Sequence, residues 1–199
     1  MKRAVSTTNA LNFSGQPTSQ PLPVARLPSN GLQVKIADFG HANWTDWKFH
    51  NQAVALPTLP PEMLLGLPNA MTSAVDIWAL GCMIFELLVG RWLFKRKGGE
   101  PSGAERTHLF CMMELTQQSI PNEMLELTPR RSELFDNQGK VRNVTAECSQ
   151  TMHDALQTYN VLREADLHST AAFIVRCLQL DPSRRPTAGQ LLTDPWFES

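Results

Sequence analysis

The feature that most constrains the fold of this chain is an apolar stripe within residues 77–88. These positions have the spacing of one face of an α-helix. Thr72-Ser73 can cap such a helix and Gly90 can end it. Because Glu86 and Arg91 interrupt the apolar run, we predict a helix buried in a protein core, not a membrane span. The stripe consists of Ile77, Leu80, Gly81, Ile84, Phe85 and Leu88.

Three further segments have the spacing of helices. Residues 105–117 and 169–180 each place apolar side chains on one face, and a short helix is expected to start near Thr187. Residues 119–165 have weak periodicity and several turn signals, and predict no definite element. The fold class is therefore expected to be mainly α. The predicted inward faces are Leu109, Met112, Met113 and Thr116 in the first segment and Phe173, Ile174, Cys177 and Leu178 in the second.

The N-terminal part of the chain has a different pattern. Residues 1–31 contain four prolines among Ser, Thr, Asn and Gln, without a sustained apolar period, and predict a flexible spacer. Residues 32–37 alternate between apolar and polar, which predicts a short strand. A lone strand needs a partner for its backbone groups, and the sequence supplies no obvious one. The irregular residues 41–62 are of a length that is usually functional or mobile.

The charge balance and the cysteines exclude several classes of function. The net charge is -1, which gives no electrostatic reason to expect binding to nucleic acid or a membrane surface. Neither the four cysteines nor the five histidines have the spacing of metal ligands, and the cysteines do not indicate a disulfide scaffold. Residues 1–12 contain no apolar signal-peptide region, so we expect a reducing compartment, the cytoplasm and/or the nucleus.

A short motif with possible chemistry follows the predicted strand. Asp38 would offer hard oxygen ligands for Mg²⁺ at the strand end. Phe39 would anchor the turn in the core, and Gly40 would let the chain change direction. Motifs this short arise often by chance, so a plain exit from a strand into a turn stays open as the alternative at this point.

Further motifs make the pattern specific. Asp38-Phe39-Gly40 is followed by Pro60-Pro61-Glu62, then Asp76-Ile77-Trp78, and then the run Leu-Asp-Pro-Ser-Arg-Arg-Pro-Thr-Ala at 180–188. In this order and spacing the motifs resemble the C-terminal lobe (C-lobe) of a eukaryotic protein kinase, from the D-F-G turn to the last helix.

Three stretches are similar to the SR-protein kinases in particular, and most of all to their fungal members. Residues 38–44 resemble that family's D-[LF]-G-x-A-x-W. Residues 108–121 resemble its helix after the insert, and residues 132–142 resemble its EFF…G-x-L segment. The resemblance covers residues 32–199, which we interpret as a partial kinase domain after the spacer.

The resemblance implies a Ser/Thr kinase that transfers phosphate from ATP to Ser/Arg-rich proteins, a reaction of mRNA splicing regulation. It implies that Asp38 binds the Mg²⁺ that bridges the ATP phosphates. Residues 38–62 would then form the activation segment. Glu62 would form a buried ion pair with Arg185, and Asp76 would accept hydrogen bonds from the backbone of the catalytic loop.

The departures from the family pattern matter as much. Residues 1–33 contain no Gly-x-Gly-x-x-Gly, no Val-Ala-Ile-Lys and no His-Arg-Asp, and residues 57–61 replace an expected Arg-Ala-Pro. Phosphoryl transfer depends on positioning and charge stabilisation, so we expect this chain alone to be catalytically incompetent, with weak ATP and Mg²⁺ binding at best. A piece of an active kinase, a non-catalytic pseudokinase-like binding module and a chance match remain the alternatives.

Overall fold

The structure, a computed structural model, describes residues 34–44, 55–94, 101–144 and 150–198. The chain divides after Gly40 into two units. The α-helices described are all in the second unit: α1 Pro61–Leu64, α2 Ala74–Val89, α3 Pro101–Thr116, α4 Asn122–Leu127, α5 Arg131–Leu134, α6 Met152–Tyr159, α7 Glu164–Cys177 and α8 Ala188–Leu191. Short 3-10 turns cover Phe39–His41, Leu56–Thr58, Pro182–Arg184 and Pro195–Glu198. The expectation of a mainly α fold is confirmed.

Helix α2 forms the centre of the second unit. It packs against α7, which in turn packs against α6. Trp78 and Phe85 of α2 and Ile174 of α7 are buried in the main apolar cluster, which also draws on α3 through Leu109. A smaller cluster surrounds Phe173 and includes its stacking contact with Trp196 near the C-terminus. Burial of apolar surface around α2 therefore holds these helices together.

The predicted limits of α2 are confirmed. The helix begins at Ala74, whose N–H donates a hydrogen bond to Thr72 Oγ1 at 3.3 Å. It ends before Gly90, which has a φ of 72° and donates its N–H to the Glu86 carbonyl. A left-handed residue at this position favours glycine because glycine has no Cβ to clash.

The other predicted helices are present with shifted limits. Helix α3 begins four residues before the predicted start at 105 and ends at Thr116, before Gln117 with its φ of 54°. Helix α7 begins at Glu164 rather than at 169 and ends at Cys177 rather than at 180. The first turn of α7 is acidic, which favours a helix N-terminus and explains the earlier start. The inward faces predicted for both helices are buried or half-buried, as expected.

Three short helices in residues 119–165 were not predicted. Helices α4 and α5 have only 6 and 4 residues, too few for a periodic pattern to be visible. Helix α6 carried a readable signal: Thr151 and Asp154 form a reciprocal capping box at its start.

The strand predicted for residues 32–37 is not formed over 34–37, the part of it that the structure describes. A strand is stable only when a neighbour satisfies its backbone groups, and the described residues supply none. Val34 and Ile36 are exposed. The isolated bridge described in the chain pairs Phe135 with Val141, far along the sequence. The whole of the predicted spacer, residues 1–31, lies outside the described residues.

The cysteines among the described residues are of two kinds. Cys82 and Cys177 are free and buried, and burial raises the pKa of their thiols to about 12 and about 11. Both therefore behave as small apolar core residues. Cys111 is disulfide-bonded, a bond that the sequence did not lead us to expect. Within the described ranges, no helix has both the length and the hydropathy that crossing a membrane requires.

Candidate functional site

The Asp38 turn lies in the first unit. Asp38 has a φ of 64°, a left-handed conformation that is uncommon for residues with a side chain. Phe39 is 66% exposed, so the expectation that it anchors the turn in the core is wrong in this structure. The strand that would have carried Phe39 inward is not formed, which explains its exposure. The Mg²⁺-binding role of Asp38 stays a prediction.

Glu62 is placed by the two prolines that precede it. Pro60 is in the extended conformation, and Pro61 occupies the first position of α1, where a fixed φ favours a helix start and no N–H is needed. Glu62 follows in the first turn and is only 1% exposed. An ionised carboxylate this deeply buried requires a charged or hydrogen-bonding partner.

Arg185 is that partner. Its Nη1 and Nη2 donate one hydrogen bond each to the two carboxylate oxygens of Glu62, both at 2.7 Å. The side chains of the pair are 0% and 2% exposed. The ion pair implied by the family resemblance is thus present in the bidentate geometry that suits a guanidinium and a carboxylate.

Arg185 also binds two backbone carbonyls. Nη1 donates to the Ala74 carbonyl at the start of α2, and Nε donates to the Gln179 carbonyl after α7, at 2.8 and 2.9 Å. The guanidinium carbon lies 5.1 Å from the centre of the Trp78 ring, within cation–π distance. Arg185 therefore connects α1, the start of α2 and the end of α7 through one buried charge.

Asp76 lies in the first turn of α2, where a negative charge is favourable, and it is exposed. This exposure leaves its carboxylate accessible to a donor. Its predicted role as acceptor for a catalytic loop is not tested by these contacts.

Helix α3 contains a buried histidine, His108. His108 is 4% exposed, and its ring meets the Phe94 ring edge-on at 5.2 Å between centroids. Burial lowers its pKa to about 4. The buried His108 is therefore neutral near pH 7.

Sequence reasoning missed the contacts at the other end of α1. Thr128 Oγ1 donates to the Leu65 carbonyl at 2.6 Å, and Arg130 Nη1 donates to the Leu64 carbonyl at 2.8 Å. The residues involved are 63 and 66 positions apart, so no local spacing could have indicated them.

The described residues contain no group of three or more His, Cys, Asp or Glu side chains that could hold a metal ion. Asp38 alone supplies one carboxylate, and Mg²⁺ in a phosphoryl-transfer site needs further oxygen ligands from protein and phosphates. The described residues therefore do not by themselves fit a complete ATP and Mg²⁺ site.

The family follows from comparison with known proteins. The model of the protein kinase domain matches residues 27–197, and the chain belongs to the protein kinase family. Its helices form the C-lobe-like part of that fold. Within the family it is similar to the Serine/threonine-protein kinase SKY1 of Saccharomyces cerevisiae, with 31% identity over 86% of this chain and 23% of that protein.

Two further similar proteins are also protein kinases. Protein kinase dsk1 of Schizosaccharomyces pombe is 31% identical over 96% of this chain and 34% of its own length. Serine/threonine-protein kinase SRPK of Physarum polycephalum is 30% identical over 82% of this chain and 38% of its own length. The chain thus matches well under half of the length of each of these relatives.

Proposed function

We propose that this chain is part of a Ser/Thr protein kinase of the SR-protein-kinase type, whose whole protein transfers phosphate from ATP to serines of Ser/Arg-rich proteins. Residues 32–199 would be the C-terminal part of its kinase domain, after a spacer at 1–31. The observation that carries the proposal is the buried, bidentate Glu62–Arg185 pair, because it joins two of the family motifs as the resemblance implied.

The proposed roles of the other site residues follow the same family. Asp38 would bind Mg²⁺, and Asp76 would position the backbone of the catalytic loop. Protein kinases use ATP and Mg²⁺, and the γ-phosphate is stabilised by metal and by donors that several motifs supply together. We place the whole protein in the cytoplasm and/or the nucleus, with Ser/Arg-rich proteins as its partners and no direct contact with nucleic acid or membrane.

We further propose that the 199-residue chain by itself does not catalyse phosphoryl transfer. The support is the lack of a glycine-rich loop, a strand lysine and a His-Arg-Asp loop in residues 1–33, together with the single carboxylate of Asp38. Positioning and charge stabilisation account for nearly all catalysis of this reaction, so the loss of these groups leaves little activity.

The test is a transfer assay with the purified chain, radiolabelled ATP, Mg²⁺ and a peptide of repeated Ser-Arg dipeptides. We expect no labelling above that of the Asp38→Ala variant. Labelling that Asp38→Ala abolishes would refute the proposed incompetence. A second test is an immunoblot of the natural host: a native product well above 22.3 kDa would support a larger active kinase.

A second candidate is a non-catalytic, pseudokinase-like C-lobe that binds partners. It is favoured by the intact Glu62–Arg185 pair together with the altered segment before it, residues 57–61, which stands where the family has Arg-Ala-Pro and begins within the 3-10 turn Leu56–Thr58. A native product of 22.3 kDa that binds the Ser-Arg peptide without nucleotide would support this candidate. Absence of peptide binding by that product would contradict it.

A further inference from the structure

The turn after α5 brings Arg142 back to that helix. The Asp136 N–H donates to the Lys140 carbonyl at 2.8 Å, which closes the turn. The Arg142 N–H donates to the Leu134 carbonyl at 2.8 Å, and its Nε donates to the Phe135 carbonyl at 2.5 Å. These bonds hold the guanidinium beside the end of α5. Its two Nη groups donate to none of the described residues, so they stay available for another acceptor.

A cavity of about 390 Å³ is formed by α5 and this turn. Ser132 lines it together with Arg131 and Arg142. Ser132 is exposed, and its hydroxyl makes no hydrogen bond within the part of the chain that the structure describes. Arg131 is also exposed, and its side chain is held only by a 3.3 Å hydrogen bond to the Leu125 carbonyl. One unengaged hydroxyl therefore shares a cavity with two arginine side chains.

The carboxylates around the cavity already have partners. Asp136 lines the cavity, and its Oδ1 accepts the N–H groups of Gln138 and Lys140 at 2.8 and 2.9 Å. Glu133 of α5 accepts two hydrogen bonds from Arg130, at 2.7 and 2.9 Å. The lining thus carries two guanidinium groups against one carboxylate, which gives it a net positive charge.

We propose that Ser132 is a phosphorylation site whose phosphate is held in this cavity by Arg142 and Arg131. A phosphoserine carries about 1.5 to 2 negative charges at pH 7 and makes about one to three charge-assisted hydrogen bonds when it lies opposite arginines. A guanidinium can bind phosphate through two parallel N–H donors, which the Nη groups of Arg142 supply.

The modifying enzyme is a separate Ser/Thr kinase that recognises arginine before the acceptor serine. Arg130 and Arg131 precede Ser132, and kinases use charge patterns of this kind to choose substrates. The Ser132 Oγ forms a bond to the γ-phosphorus of ATP while the bond from that phosphorus to the bridging oxygen breaks. ADP leaves, and the hydroxyl proton passes to a base of that kinase. The site does not depend on whether this chain is itself a kinase.

The first measurement is a map of phosphorylated residues by mass spectrometry, in protein isolated from its natural host with phosphatase inhibitors. We expect phosphate on Ser132. Ser119 is the internal control, because it is also exposed but lies between Gln118 and Ile120, with no arginine before it. Ser132 without phosphate in this preparation would overturn the proposal. Equal occupancy of the two serines would contradict recognition through the arginines.

The second measurement tests the two arginines. Phosphoserine is installed at position 132 by genetic encoding, and its second pKa, about 6 in a free phosphoserine, is measured by ³¹P NMR titration. Because nearby cations favour the dianion, we expect a pKa lower by about 0.5 or more. Arg142→Gln should raise it back towards about 6, and Arg131→Gln should do so in part. A pKa of about 6 or higher in the otherwise unchanged chain would overturn the assignment, because Glu133 and Asp136 would then dominate.

Lys140→Gln is the matched control. Lys140 belongs to the same turn, but it does not line the cavity. Since salt screens an exposed charge, this variant should change the phosphate pKa little. Equal shifts in Lys140→Gln and Arg142→Gln would indicate a general field and would overturn the binding site.

Amide hydrogen exchange keeps the proposal testable if Arg142→Gln loses the turn. The phosphate would connect α5 to Arg142, so it should slow opening of the turn. We expect the Asp136 and Arg142 amides to exchange more slowly by about threefold or more with phosphoserine at 132 than with serine, while α2 and α7 stay unchanged. Equal exchange in the two forms would overturn the proposed connection.

Discussion

Gly81 of α2 lies so close to Cys177 of α7 that a Cβ at position 81 would be 2.9 Å from the Cys177 Cβ. The same Cβ would lie 3.0 Å from the Leu178 side chain. Real Cβ atoms do not approach this closely, so the two helices meet where α2 has no side chain. The packing of the two central helices depends on this glycine.

We therefore predict that Gly81→Ala destabilises the protein despite the better helix propensity of alanine. Overpacking a core costs about 1–3 kcal/mol, against a gain of about 1 kcal/mol from propensity. Gly103→Ala in α3 is the control, because a Cβ there would meet no atom within 4 Å. Thermal unfolding should show a lower melting temperature for Gly81→Ala and a higher one for Gly103→Ala. A stabilised Gly81→Ala would contradict the close approach of the two helices.

The Glu62–Arg185 pair predicts a large loss of stability when one partner is removed. Glu62→Ala would leave a buried Arg185 charge without its carboxylate, which costs about 3–5 kcal/mol. Asp166→Ala, which breaks the surface pair with Arg163, should change the free energy of unfolding by less than about 1 kcal/mol. Urea unfolding of both variants is the measurement. Similar values for the two would show that the buried pair contributes no more than a surface one.

His108 predicts a pH dependence of stability in a defined window. Its pKa is lowered from 6.5 to about 4 in the folded state by burial. Between these values the unfolded chain binds more protons, so stability falls as the pH falls from 6.5 towards 4. The loss from this residue is on the order of 3 kcal/mol. His108→Gln should make the stability curve flatter across this window, as measured by denaturant unfolding at several pH values.

The carboxylates provide an internal control for that experiment. The pKa of Glu133 is lowered mainly by its hydrogen bond to Arg130, and the pKa of Asp154 mainly by the Thr151 side chain. A depressed carboxylate loses its contribution as the pH falls through its own lower range, below the ordinary 4.5 or 3.8. A drop in stability that begins near pH 6.5 and persists in His108→Gln would rule out His108 as its source.

The capping box of α6 predicts a smaller, local effect. Thr151 Oγ1 accepts the Asp154 N–H at 3.2 Å, and the Thr151 N–H donates to Asp154 Oδ2 at the same distance. Thr151→Ala should cost about 1 kcal/mol. Thr158→Ala, in the last turn of the same helix, removes an exposed side chain that only bonds back to the Asp154 carbonyl, and should be neutral or slightly stabilising. Chemical denaturation distinguishes the two.

Local patterns in the sequence predicted the long helices well. The stripe from Ile77 to Leu88 and the glycine at position 90 predicted α2 to within a few residues, because its spacing and its terminator are both local properties. Helices α4 and α5 were missed because each is too short for a periodic pattern to be visible in its sequence. The strand predicted at 32–37 is absent over 34–37, the part that the structure describes. A strand depends on a partner strand, which a local pattern cannot supply.

The candidate site was predictable only through the family. Glu62 and Arg185 are 123 positions apart, and no spacing rule connects residues at that separation. The resemblance joined them, whereas Thr128 and Arg130 belong to no quoted motif and were missed. Contacts that fix α1 are thus of two kinds: one recorded in the motifs of the family and one visible only when the chain is folded.

The separation of Glu62 from Arg185 also sets an order of events during synthesis. A ribosome makes a chain from its N-terminus, so the residues of α1 emerge long before the arginine that neutralises Glu62. Until that arginine arrives, the carboxylate stays hydrated and α1 has no buried place to occupy. Docking of α1 therefore follows the synthesis of residue 185, and a nascent chain stalled before that residue keeps this segment open to proteases and chaperones.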